Sequence, residues 1–468
     1  MDFRQQMEAW IAFNKDNMLA HAMQMMRIRS ISEYEAGAAH PFGEGCARVL
    51  DEALGICASM GFGTHNYEYY CGTAWLPGET DEAICFMVHL DTAPENDCWS
   101  FDPFSPCIID GCLCGRGSLD NKGAAALLIY LLKCIRDFGF RFKHTVQIVF
   151  GCGRKATGAD MMDVQYFLQH APTPALTLIA DSAFPVCIGE KGSLEVRITH
   201  PVEGGNLVDF RGGSVRNMVP DSAFALLEHV GYEDVRRLFS GEDAFSVIPV
   251  GPYVKVSTTG VAGHGGFPEG SVNAIGRLAH GLAGRGLVTG GALEALRFLG
   301  GVLADCHGRE LGVDFSDAVF GGTTHIGGMA RLEDGVLNQY LNVRYGTAVD
   351  GAAIRERVRE TVAAAGFACE VLDNCDPRYI DPEQPIVRTL VDVCNRTLGK
   401  ELQPYTMGGV TYAHMIPDAL AYGPNSSQPI AGERLGGGHQ SNEAIRISDL
   451  LDGIRVYMNA LLEIDGKL

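Results

Sequence analysis

Five side chains combine the imidazole and carboxylate donors that a divalent metal ion takes: His89, Asp91, Asp120, Asp181 and His439. His89 and Asp91 stand two apart in HLDTAP, where an apolar run ends. In extended chain such residues point the same way, and the acid can receive the second imidazole N–H and fix the tautomer of a ligand. Asp120, in GRGSLDNKG, stands just before a helical stretch and taken alone reads as an N-cap. Alone, Asp181 reads as a turn residue and His439, in GGGHQSNE, as a loop histidine. The segment GCGRKATGADM (151–161) carries two adjacent cations, Arg154 and Lys155. It is no phosphate loop, because the lysine is neither directly preceded by glycine nor followed by Ser or Thr. Arg344 can clamp a carboxylate through its two-pronged guanidinium, and His264 or Asn217 can donate to an oxyanion. Without further context Arg344 reads as a salt bridge and His264 as part of a capped turn.

These residues sit at the ends of recognisable elements. AICFMV (83–88), TVQIVF (145–150) and LTLIA (176–180) are short apolar runs bounded by turns, as buried parallel strands are. Between the first two, GAAALLIYLLKCIRDFG is an apolar-faced helix ending at Gly139. The pattern is βαβ, an α/β fold built on a mostly parallel sheet with helices on both faces. The first strand runs into His89-Leu90-Asp91, the second into the Arg154-Lys155 loop, the third into Asp181. Ligands of open α/β sheets sit beyond the carboxyl ends of the strands, so these three clusters are expected to converge. From about 189 to 382 the texture changes to LEVRIT, YVKVSTTG and LNQYLNVRY alternating with helical stretches, which predicts an inserted α+β lid domain. Residues 383–468 resume helix–strand–helix and complete the domain begun by residues 1–188.

Composition narrows the function. The 468 residues are 46% apolar and 20% charged, enough for a large core and unlike a disordered chain. With 57 Asp and Glu against 37 Lys and Arg, the formal charge of -20 repels phosphate backbones and anionic membrane surfaces, so no nucleic-acid or membrane partner is expected. No window offers the roughly 20 apolar residues of a membrane span, and the amphipathic start lacks a signal-peptide pattern; the expected location is cytoplasmic. Fifteen scattered cysteines read as small buried hydrophobes, with no function of their own.

Taken together, the motifs resemble a known family. HLDTAP, WSFDPF (99–104), GRGSLDNKG, DSAFPVCIGEKG, RGGSVRNMVPDSA, GVAGHGGFPEGSVNA, LNVRY, MGGVTYA and GGGHQSNE are similar, in order, to those of the two-zinc metallopeptidases that include aminoacylases, carnosinases and bacterial PepV-type dipeptidases. The long insertion most resembles the PepV type, which implies a monomer, with a dimer left open. The resemblance implies zinc-dependent hydrolysis of dipeptides or N-acyl amino acids. It also implies that His89 and Asp181 hold one metal, His439 the other, that Asp120 bridges them, and that Asp91 orients His89. Asn217, His264 and Arg344 match residues that position substrate and stabilise the tetrahedral intermediate; Gly408 and Gly409 match a loop lying along it.

One departure cuts against that activity. The family carries two consecutive glutamates where this chain has Arg154 and Lys155, although Gly151 and Asp160-Met161 keep the frame. The first glutamate is the family's general base and the second a metal ligand. Arginine stays protonated and cannot act as a base, and lysine ligates only as a neutral amine. Exchanging two carboxylates for two cations shifts the local charge from -2 to +2, equal to the charge of two zinc ions. Two outcomes are open: a buried ionic cluster replacing metal, or both side chains turned to solvent with one metal on His89, Asp120 and Asp181. The expected content is at most about one zinc ion, or none. The expected function is that of a dipeptidase-like metallohydrolase with hydrolysis weak or lost; the alternatives are a catalytically silent relative that binds peptides or a partner in the same cleft, and altered chemistry with Lys155 as base or nucleophile.

Overall fold

The structure, a computed structural model, describes residues 2–95, 99–155, 161–426 and 435–468; Asp160 lies outside them. The chain divides into two units: Met1–Ile188 with Ile380–Tyr405 and Thr411–Leu468, and Gly189–Tyr379 with Thr406–Val410.

The first unit begins with helices α1 (Phe3–Met26) and α2 (Glu44–Ser59) and strands β1 (Gly63–Tyr67), β2 (Cys71–Leu76) and β3 (Ala83–His89). A short hairpin, β4 (Cys107–Ile109) and β5 (Cys112–Cys114), precedes helix α3 (Lys122–Asp137). Then come β6 (Thr145–Gly151), helix α4 (Met162–His170) and β7 (Leu176–Ile179). The main sheet runs β1-β2-β6-β3-β7 and on to Leu420–Ala421. From β6 onward these neighbours are parallel, while β1 and β2 form an antiparallel edge. β3 is buried from Ile84 to His89, because a central strand covered on both faces has no solvent side to alternate with. The crossover helix α3 lies against β3 and β6 and is buried continuously from Lys122 to Leu132. Its start needs glycine: a Cβ on Gly123 would fall 2.2 Å from the Ser118 carbonyl oxygen. Parallel pairing sets His89 opposite Gly151 and Met87 opposite Ile179, so β3, β6 and β7 all release their chains at one sheet edge.

The second unit is built on an eight-stranded, wholly antiparallel sheet. The strand Gly192–Pro201 buries Leu194, Val196 and Ile198 and turns the residues between them outward, the period-two pattern of a half-covered sheet. Helices Ala274–Gly284, Gly291–Val302 and Gly351–Ala364 supply the apolar residues packed on it. Among the described residues no helix is long and apolar enough to cross a membrane. The described cysteines are free thiols, most of them buried.

His325, 1% exposed in the second unit, gives this core a pH signature. Burial drives its imidazole pKa down to about 4, with Asp305 offsetting part of the shift. Between that value and the ordinary ~6.5, the unfolded chain binds a proton that the folded chain refuses. Stability is therefore expected to fall as pH drops from about 6.5 toward about 4. Urea midpoints at pH 7 and pH 5 should differ less for His325→Phe than for the natural chain.

Candidate metal centre

The three strand-end clusters meet. His89, the last residue of β3, is fully buried; its Nδ1 lies 2.8 Å from the Asp91 carbonyl oxygen. The Asp91 carboxylate is farther from that nitrogen, 3.4 Å, so the backbone carbonyl is the nearer acceptor and the carboxylate the second. The carboxylate's shorter bonds go elsewhere: it accepts from Ser32 Oγ at 2.7 Å and from the amides of Lys155 and Arg154 at 2.6 and 3.3 Å. Asp91 thus ties the end of β3 to the loop after β6. Asp163, also fully buried, secures the same loop by accepting from the Gly153 amide at 2.8 Å and from the Tyr412 hydroxyl. Only glycine fits at Gly151, where a Cβ would stand 2.1 Å from Tyr412 Oη.

Asp120 is not the N-cap of α3. Asn121 occupies that position without a side-chain cap bond. One residue earlier, the Asp120 carboxylate is free to point away from the helix. Its Oδ1 lies 2.8 Å from His89 Nε2, and its Oδ2 lies 2.9 Å from His439 Nε2 and 2.8 Å from Lys155 Nζ. Asp181 Oδ2 lies 3.8 Å from His89 Nε2, while Asn121 Nδ2 holds the other oxygen at 2.9 Å. Lys155 Nζ is also 3.1 Å from His439 Nε2. The Lys155 side chain therefore turns inward and not to solvent. A lone ammonium joins a carboxylate and an imidazole that the resemblance assigns to the second metal.

Burial raises the cost of every charge here, and the partners decide which charges persist. Burial pushes the Asp120 carboxyl up, but Lys155, His439 and His89 together hold it well below its ordinary range. Burial and Lys155 press the His89 imidazole down, but the adjacent carboxylates of Asp120 and Asp91 outweigh them and raise it to about 9. Burial and the Lys155 charge lower His439 against the pull of Asp120. Asp181 is raised by burial, with the His89 charge opposing and Asp120 adding to the rise.

His89, Asp120 and Asp181 each present one ligand atom, all within 4.8 Å of one another. His89 Nε2 and Asp120 Oδ1 approach closely without well-formed hydrogen-bond geometry, and both are buried without another partner. With Nδ1–H directed at the Asp91 carbonyl, a neutral His89 would set a lone pair against a carboxylate oxygen, an arrangement that calls for a cation or a shared proton. The donor set of one imidazole and two carboxylates suits zinc or a similar divalent ion.

The remaining site candidates lie in the second unit. Met218 pairs with His264, and the Asn217 carbonyl accepts from the Gly265 amide at 2.8 Å. His264 Nδ1 accepts from the Gly266 amide at 3.1 Å, which puts the proton of a neutral ring on Nε2. Gly266 and Gly408 meet backbone to backbone: a Cβ on Gly408 would stand 2.1 Å from the Gly266 oxygen, with Gly409 next in the chain. Buried Arg344 donates from Nε to Asn342 Oδ1 at 2.8 Å, and Asn342 donates to Glu195 at 2.9 Å. It faces Thr324, whose hydroxyl donates to the Gly265 carbonyl at 3.0 Å. The five candidates of this unit thus share one cluster.

Residues 85–463 match the profile of Peptidase family M20/M25/M40. The chain belongs to the M20 peptidase family. YtjP of Bacillus subtilis is 27% identical over 472 residues, spanning 98% of this chain and 99% of that protein. The Beta-Ala-Xaa dipeptidase of Lactobacillus delbrueckii subsp. lactis is 26% identical, covering 99% and 98%. Human carnosine dipeptidase 1 shares the fold with a TM-score of 0.61 at 13% identity, covering 99% of each chain. As an M20 chain, it is dipeptidase-like by family.

Sequence reading gave no role to Ser32, Arg116, Asn121, Asp163, Tyr412 or Glu443. Arg116, Asn121, Tyr412 and Glu443 lie inside motifs already singled out, and their polar character in otherwise Gly-rich or apolar segments was the available signal. Ser32 and Asp163 carried none. Removing the Asp91 anchor tests this account. Ser32→Ala is expected to destabilise by about 1–3 kcal/mol, the worth of a hydrogen bond to a buried charge. Asp91→Ala should cost about 3–5 kcal/mol, because it strands loop amides beside buried charges. Urea unfolding followed by near-ultraviolet circular dichroism measures both.

Proposed function

We propose that this M20 chain is a dipeptidase-like protein in which the Lys155 ammonium stands in for the second metal ion, leaving one divalent cation and weak or absent hydrolysis. The observation that carries the reading is the position of Lys155 Nζ, 2.8 Å from Asp120 Oδ2 and 3.1 Å from His439 Nε2. Like charges exclude one another, so an ammonium there opposes a second dication between the same two residues. His89, Asp120 and Asp181 would hold the remaining ion. When bound, such an ion supplies Lewis-acid polarisation of a substrate carbonyl.

The chain's own residues would then share the other tasks. Asp91 and Asn121 orient His89 and Asp181. Arg154 stands at the position of the family's general base, and a guanidinium offers no lone pair to accept a proton there. In the second unit Arg344 is suited to a substrate carboxylate, and the Nε2–H of His264 with Asn217 to a developing oxyanion. Gly408 and Gly409 offer a backbone edge that a peptide can approach. These groups do not depend on Lys155, so peptide binding is retained where turnover is not. The relatives' names point to dipeptides as the ligand class.

Two outcomes test the reading. The natural chain should bind about one zinc equivalent, counted by elemental mass spectrometry after dialysis; none, or two tightly held ions, would overturn it. The Arg154→Glu, Lys155→Glu variant should hold more metal and hydrolyse dipeptides faster, by ~10²-fold or more, since a general base alone contributes ~10²–10⁴. Each single variant should gain less than the double, because base and second metal act as a unit. Brisk dipeptide turnover by the natural chain, with no gain in the double variant, would sink the proposal.

A further inference from the structure

Two loops far apart in sequence carry Asp120 and His439, and one buried ion pair joins them. Glu443 and Arg116 are both 0% exposed. Glu443 Oε1 accepts from the amides of Gly117, Leu119 and Asp120 at 3.1, 3.0 and 3.1 Å, gathering the whole turn that presents Asp120. Its other oxygen accepts from Arg116 Nη1 at 2.7 Å. The guanidinium then reaches across: Nη1 donates to the Gln440 carbonyl at 3.3 Å, and Nη2 to those of Pro94 and His439 at 3.0 and 3.5 Å. It also lies 5.0 Å from the Trp99 ring centre, which restricts its swing.

His439 needs such restraint. Its φ is +67, in the left-handed region that a β-carbon disfavours, and Asn442 follows at +55. Such a conformation persists where its surroundings over-determine it, and Arg116 holds the carbonyls of His439 and Gln440. The imidazole thereby meets Asp120 at 2.9 Å.

We infer that Arg116 and Glu443 are positioning residues: together they set the spacing of Asp120 and His439 and so determine how tightly cations are held on Asp120. Neither touches the cation. Their action runs through the backbones that carry its ligands, as the outer partners of metal ligands act elsewhere. The inference rests on the metal reading proposed above.

Cobalt(II) titration, followed by calorimetry and by the visible ligand-field spectrum, separates positioning from stability. It is run on the natural chain and on the Arg154→Glu, Lys155→Glu chain, each with Glu443→Ala, Glu443→Gln or Arg116→Lys added. Glu443→Ala should weaken cobalt binding about 10–100-fold and alter the spectrum. Glu443→Gln retains an acceptor for the loop amides and should restore part of the affinity. Arg116→Lys, which keeps charge but loses the fork, should fall between. Lower melting temperatures with unchanged cobalt affinity and spectrum would show a purely structural pair and overturn the inference. If Glu443→Ala does not fold, the Gln and Lys variants decide on the same criterion. A natural chain that binds no cobalt, beside a double variant that does, refutes the metal reading while the Glu443 comparison still decides this one. If neither chain binds cobalt, both fall.

Discussion

The centre depends on one carboxylate. Asp120 meets His89 through one oxygen and both His439 and Lys155 through the other, all between 2.8 and 2.9 Å. A charge this buried is costly unless it is paired, and removing one partner leaves the rest uncompensated. The ammonium of Lys155 therefore has a structural task, whatever its effect on chemistry: it places a positive charge against the Asp120 carboxylate.

The acids around this centre hold backbone more than they hold side chains. Asp91 collects the amides of Arg154 and Lys155, Asp163 that of Gly153, and Glu443 those of Gly117, Leu119 and Asp120. Each converts an irregular loop at a sheet edge into a defined surface, because buried loop amides must find acceptors. Around Arg154 and Lys155 the anchors bind the loop's main chain, which does not depend on which side chains stand at these two positions.

The second unit shows the same economy of parts in a different architecture. Its candidate residues come from a short two-stranded ladder between distant segments, a glycine-rich loop and the strand that carries Arg344, and the contacts that bring them together are made largely by glycine and main chain. Gly266 and Gly408 approach too closely for any β-carbon. This explains why the motifs around His264 and Gly408 are rich in glycine.

The α/β class, the unbroken apolar strands, the crossover helix and the choice of imidazole and carboxylate donors were legible in the sequence. Each rests on local pattern: periodicity, turn residues and the chemistry of a side chain. The inward turn of Lys155 was one of two open outcomes, because a long flexible cation is drawn by whichever charge lies nearest in space, and sequence does not give that distance. Asp120 as an N-cap was a sound local reading that lost to tertiary pull: two imidazoles and an ammonium hold its carboxylate away from the helix. Glu443 and Arg116 lay within motifs, yet their joint task needed loops more than 300 residues apart to meet. The sequence by itself determined which elements form and which chemistry their ends carry. Only the tertiary structure decided which charges neutralise one another, because pairing of buried charges depends on separations of a few ångströms between segments distant in the chain.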